Sequence, residues 1–127
     1  MRYVSGGYYI LAVEDSNDAH LLSPDNLGVN VDHHKLIRIR FMNHTPATTM
    51  RFRFTTAGDQ IWDDAKSRDF DVVPNDEAPR EYVVDMSSVP DWRGTLKQLR
   101  LDLATGENLT GTCRFDYIAI VGGSEQP

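Results

Sequence analysis

Polar and apolar residues alternate along most of this chain with a period of two. Lys35–Met42 (KLIRIRFM) sets Ile37, Ile39 and Phe41 on one side and Leu36, Arg38, Arg40 and Met42 on the other. Met50–Thr55 (MRFRFT) sets Met50, Phe52 and Phe54 against Arg51, Arg53 and Thr55, and Leu96–Leu103 (LKQLRLDL) sets Leu99, Leu101 and Leu103 against Arg100 and Asp102. Successive side chains of a strand point to opposite faces, so this pattern marks strands with one buried side. Gly7–Val13, Phe70–Val73, Arg80–Met86 and Thr112–Val121 read as further strands. Turn-forming clusters separate them, among them Ser23-Pro24-Asp25-Asn26, Asn43-His44-Thr45-Pro46, Pro74-Asn75-Asp76 and Val89-Pro90-Asp91. The helical signal is weak: Asp63–Arg68 allows one turn, and the Leu-Arg-Leu-Asp-Leu alternation at 99–103 favours a strand. About seven strands with regular turn signals predict an all-β, antiparallel sandwich or barrel.

In a sandwich the apolar positions meet between the sheets. The expected core is Ile37, Ile39, Phe41, Met50, Phe52, Phe54, Leu99, Leu101, Leu103, Phe115 and Tyr117. The opposite positions hold Arg38, Arg40, Arg51, Arg53, Arg100, Asp102, Arg114 and Asp116. If these strands share a sheet, one outer face is rich in guanidinium. Arg presents a planar fork that suits sugar hydroxyls as well as carboxylate, sulfate or phosphate. The bland alternative is a solvated face laced with cross-strand ion pairs.

Composition narrows the partners. The 127 residues carry a formal charge of −6, with 40% hydrophobic and 25% charged residues. That is ordinary for one globular domain, expected over residues 1–122, with 123–127 (GSEQP) as a flexible tail or linker stub. The acidic balance disfavours nucleic acid, and no apolar run is long enough to span a membrane. The single cysteine, Cys113, excludes an internal disulfide framework and a multi-cysteine zinc site. It is expected as a buried small hydrophobe.

Enzyme motifs are missing: no HExxH, GxSxG, P-loop or GxGxxG occurs. His33 and His34 are adjacent and face opposite ways on an extended chain. The aromatics are better candidates. Trp62 stands in a polar loop (GDQIWDD), Trp92 follows Pro90-Asp91 and reads as a loop plug, and Tyr8 and Tyr9 point to opposite faces of one strand. Glu14-Asp15-Ser16-Asn17-Asp18 is dense in the hard oxygens that calcium takes, without EF-hand spacing. Asn43-His44-Thr45 and Asn108-Leu109-Thr110 match the N-glycosylation acceptor.

Several segments also resemble a recurrent module: an N-x-T loop before an aromatic strand, the turn FDVVPND, the strand YVVDM, the block WRGTLKQLRLD and the final strand FDYI, with SPDNLGV near Ser23. Over roughly Gly6–Gly122 the chain resembles the galactose-binding-like, jelly-roll carbohydrate-binding modules appended to bacterial glycoside hydrolases, polysaccharide lyases and cell-surface proteins. The resemblance implies an all-β, two-sheet antiparallel β-sandwich of jelly-roll type without catalysis. It implies an extracellular or surface-associated setting beside a parent glycoside hydrolase. It also implies a structural Ca2+ held in part by Asp116. Two departures stand out. The family has another strand before GGYYILAV, where only Met1–Ser5 stand here, and MRFRFTT carries charges where relatives carry an aromatic.

The resulting expectation is a module that binds a polysaccharide, neutral or anionic. Trp62 or Tyr8 stacks on a ring, and Arg38, Arg40, Arg51 and Arg53 bond its polar groups. The alternative is a structural or decoration subunit of a virion or filament, contacting other protein chains.

Overall fold

In a computed structural model of the chain, residues 2–5, 8–16, 19–103 and 108–122 are described, those before residue 17 by their backbone alone. Among the described residues ten strands run in order: β1 Arg2–Ser5, β2 Tyr8–Ser16, β3 His20–Leu22, β4 Val29–Asn30, β5 Leu36–His44, β6 Thr49–Thr56, β7 Ser67–Asp71, β8 Arg80–Asp85, β9 Thr95–Asp102 and β10 Leu109–Val121. They form two sheets, ordered β1-β2-β10-β5-β8 and β3-β9-β6-β7, with β4 also on β9. Every pairing is antiparallel. This is the antiparallel sandwich that the alternation predicts, of the jelly-roll type that the resemblance implies.

The core is the sum of the two inner faces. Ile37, Ile39 and Phe41 of β5 are fully buried, as are Met50, Phe52 and Phe54 of β6 and Leu101 of β9. Phe41 stacks on Phe115 at 5.2 Å between ring centres, and Phe54 meets Trp92 edge to face at 4.9 Å. Phe70 and Tyr82, from opposite sheets, meet at 6.0 Å. Trp92 is the expected plug: it is buried, and its indole Nε1 donates to the His34 carbonyl at 2.9 Å. Cys113 is buried too, and burial pushes its thiol pKa up to about 12.

Three expectations change. Tyr117 is not core. A bulge in β10 between Phe115 and Tyr117 leaves Asp116 without a partner on β5, so the inward side passes to Ile118 and Ile120, opposite Ile39 and Ile37. Tyr117 stands outside, 37% exposed. Second, the arginines do not share one face: β5 and β10 lie in one sheet, β6 and β9 in the other. Third, Arg2–Ser5 do form a strand, paired on β2 from Ser5↔Tyr8 to Arg2↔Leu11.

Candidate functional site

The outer face of the β3-β9-β6-β7 sheet collects the densest chemistry. Alternation in β6 sends Arg51 and Arg53 outward, and β9 sends out Arg100 and Asp102. Register places Arg53 opposite Arg100, and Arg51 between Asp102 on β9 and Asp69 on β7. Two opposed guanidiniums repel, and Asp102 resolves the conflict. One of its oxygens accepts from Arg53 Nε at 2.8 Å, and the other from Arg100 Nε at 2.5 Å. Arg51 is held by both oxygens of Asp69, at 2.5 and 3.2 Å, in the fork geometry that makes such pairs strong.

The loop between β6 and β7 folds over this row. Asp64 accepts from Arg53 at 2.7 Å. That bond holds the Asp64 carboxyl below the ordinary aspartate range, and Asp64 and Asp102 together push the Arg53 pKa up. The loop is closed by paired backbone bonds between Thr56 and Asp59, and Asp63 caps its end, accepting from the Ala65 and Lys66 amides. At its crest stands Trp62, 39% exposed. Trp62, Asp63 and Asp64 face Arg53, Arg100 and Asp102 across an open cleft of about 570 Å³. The cleft offers an indole, two guanidiniums and three carboxylates: a flat apolar surface beside fixed donors and acceptors.

Of the expected site residues, Trp62 and Arg53 meet in this cleft and Arg51 lies beside it. Arg38 and Arg40 are on the opposite side of the molecule. There Arg38 is 3.6 Å from Glu81, Arg40 is 3.3 Å from Asp116, and the Tyr117 hydroxyl donates to Glu81. Tyr8 begins β2, and its side chain lies outside the described residues. The alternation marked Arg100 and Asp102 as outward-facing residues without marking them as a site. Asp64 and Asp69 carried no signal of their own, because the acids of a loop become partners only once β6 and β7 pair.

Asp116 is engaged with Arg40, and among the described residues no group of three or more His, Cys, Asp or Glu converges to hold a metal. Asn17 and Asp18 of the acidic segment lie outside the described residues. The Asn43 sequon is closed: Asn43 is 1% exposed, and its Nδ2 donates to the Ala47 and Val73 carbonyls at 3.0 Å each. Its oxygen accepts from Thr45 at 2.6 Å, so the motif serves to tie down the β5–β6 turn. No helix among the described residues is long and apolar enough to cross a membrane.

No protein-family model matches the chain, and no curated protein matches it. Solved structures do. A CBM28 carbohydrate-binding module, specific for non-crystalline cellulose, superposes with a TM-score of 0.62 at 12% identity, over 95% of this chain and 79% of that one. A CBM4 module gives 0.60 at 12% identity, over 96% and 75%. An arabinose-bound α-L-arabinofuranosidase gives 0.53 at 12% identity, over 93% of this chain and 20% of that one. At these identities the likeness is one of fold: the sandwich is built as carbohydrate-binding modules are built.

Proposed function

We propose that the chain is a non-catalytic carbohydrate-binding module that holds a polysaccharide across the outer face of the β3-β9-β6-β7 sheet. The observation that carries this reading is the partly exposed Trp62, which lines one cleft with the Arg53–Asp102–Arg100 row. The four strands span roughly 14 Å at the usual interstrand spacing, room for a short run of sugar rings. Trp62 stacks on one ring, while guanidinium N–H groups and carboxylate oxygens bond hydroxyls along the row.

Charge pairing selects a neutral chain. Arg51 is matched by Asp69, and Arg53 and Arg100 share Asp102, with Asp64 added on Arg53. The lining holds two guanidiniums against three carboxylates, which repels an anionic polymer. The same pairing argues against hydrolysis. A general acid needs a raised pKa, and Asp64 is shifted the other way. We further propose an extracellular or surface-associated accessory role, which the resemblance to modules appended to glycoside hydrolases implies.

Affinity electrophoresis through hydroxyethylcellulose, xylan and polygalacturonate tests the reading. Retardation is expected from a neutral polymer, little changed by 0.5 M salt, since hydroxyl contacts are not screened as ion pairs are. Trp62→Ala should weaken it by about tenfold or more, the scale of a buried aromatic anchor. Retardation by polygalacturonate alone, abolished by salt, would overturn the neutral-chain reading. No retardation by any of the three would turn attention to a structural, protein-contacting role.

A further inference from the structure

The loop that carries Trp62 runs over a buried ammonium. Lys66 is 1% exposed, although it follows a run of exposed residues, 57–65. Its Nζ donates to the carbonyl oxygen of Ile61 and to that of Asp59 at 3.4 Å, and it pairs with Asp59 Oδ1 at 2.9 Å. An ammonium has three N–H bonds, and all three point at the stretch immediately before Trp62. The Asp59 carboxylate also accepts from the Ile61 amide at 3.3 Å, closing the arrangement on itself.

Lys66 is in turn fixed to the sheet. Its carbonyl accepts from the Phe54 amide of β6 at 3.2 Å, and its own amide donates to the Asp63 carbonyl at 2.9 Å. On the far side of Trp62, Asp64 is tied to Arg53. The indole is therefore bracketed by two charged tethers. Ile61, next to Trp62, points outward at 72% exposure and anchors nothing. A buried lysine is costly unless its donors are matched, and here every match lands on this loop.

We infer that Lys66 is the positioning residue of the site: its ammonium sets the orientation of Trp62 before ligand arrives, without touching ligand itself. The inference rests on Trp62 being the sugar platform. Its advantage is physical: a platform already ordered does not lose conformational freedom on binding.

The test compares the native protein with Lys66→Met, Trp62→Ala and the double variant. Iodide quenching of tryptophan fluorescence in the free protein reports Trp62, because Trp92 is only 1% exposed. Lys66→Met should change the quenching constant. It should also weaken retention on hydroxyethylcellulose or xylan by about tenfold. In the Trp62→Ala background it should cost nothing further, since the two residues act as a unit. Unchanged quenching, or losses that multiply in the double variant, would overturn the inference and leave Lys66 a structural residue only. Should Lys66→Met not fold, Asp59→Ala removes one of the three contacts. Altered quenching with weaker retention is then expected, and no change in either overturns the inference. If neither polymer retains the native protein, the stacking role of Trp62 fails, while the quenching comparison still decides whether Lys66 sets its orientation.

Discussion

Asp102 stands between two guanidiniums that register has placed face to face. Its side chain is mostly buried, and each of its oxygens is committed to one arginine. Asp102→Ala removes both acceptors and leaves Arg53 and Arg100 opposed. A charge-assisted hydrogen bond contributes about 1.5–3 kcal/mol, so a loss of roughly 2 kcal/mol is expected in urea unfolding, with the partial exposure of the arginines keeping it from doubling. Asp102→Asn keeps one acceptor oxygen and should fall between the two. Equal stability of all three proteins would mean that the row is held by packing and not by charge. Cys113 is the contrasting case. Burial raises its thiol pKa to about 12, so the nucleophilic thiolate is scarce at neutral pH as well as inaccessible. An aromatic disulfide reagent should label it only after denaturation, and rapid labelling of the native protein would place it at the surface instead.

At the scale of elements, β5, β6 and β9 were legible because each runs for eight or nine residues with one side apolar. Ile37, Ile39, Phe41, Met50, Phe52 and Phe54 all went where alternation put them. The failures share a cause: they depend on a partner strand. Strands of two or three residues, such as β4 and β3, carry no readable period and exist because β9 offers them a ladder. The flip at Tyr117 comes from one extra residue in β10 relative to β5, invisible in β10 alone. The site was half legible for the same reason. Trp62 and the β6 arginines showed by type and spacing, whereas Lys66 looked like any loop lysine until the fold closed over it. Gly111 shows the same dependence as a constraint. It sits at φ +151°, beside the irregularity where β10 meets β2, and a Cβ there would overlap the His44 carbonyl oxygen and lie 3.0 Å from Thr45 Cα. Both obstacles are backbone, so neither can turn aside. Gly111→Ala should therefore cost about 3 kcal/mol or more. A urea midpoint equal to the native protein's would show that β10 can shift there freely.

For the whole molecule, net charge −6 coexists with a surface in which the acids that matter are paired. Asp59 through Lys66, Asp64 through Arg53, Asp76 through Arg80 and Asp85 through Ser87 all have pKa values held below the ordinary aspartate range. A depressed folded-state pKa means that the native state binds protons less readily than the unfolded chain. The stability from these groups is therefore present above the unfolded value, about 3.9, and is lost as pH falls through the lower folded values. Tyr117 works at the other end. Its bond to Glu81 raises its pKa, so its contribution is present below about pH 10 and is lost as pH rises through the folded value. Urea midpoints measured against pH should show a decline beginning near pH 4 and steepening below it. Two of these carboxylates, Asp59 and Asp64, also bracket Trp62. Glycan retention should consequently persist at about pH 4, where an ordinary aspartate is already half protonated, and fail below that. The failure should precede global unfolding, because protonating both tethers releases the loop on either side of Trp62 while the core between the sheets is untouched. Retention that survives until the sandwich itself melts would show that Trp62 keeps its place without the ion pairs.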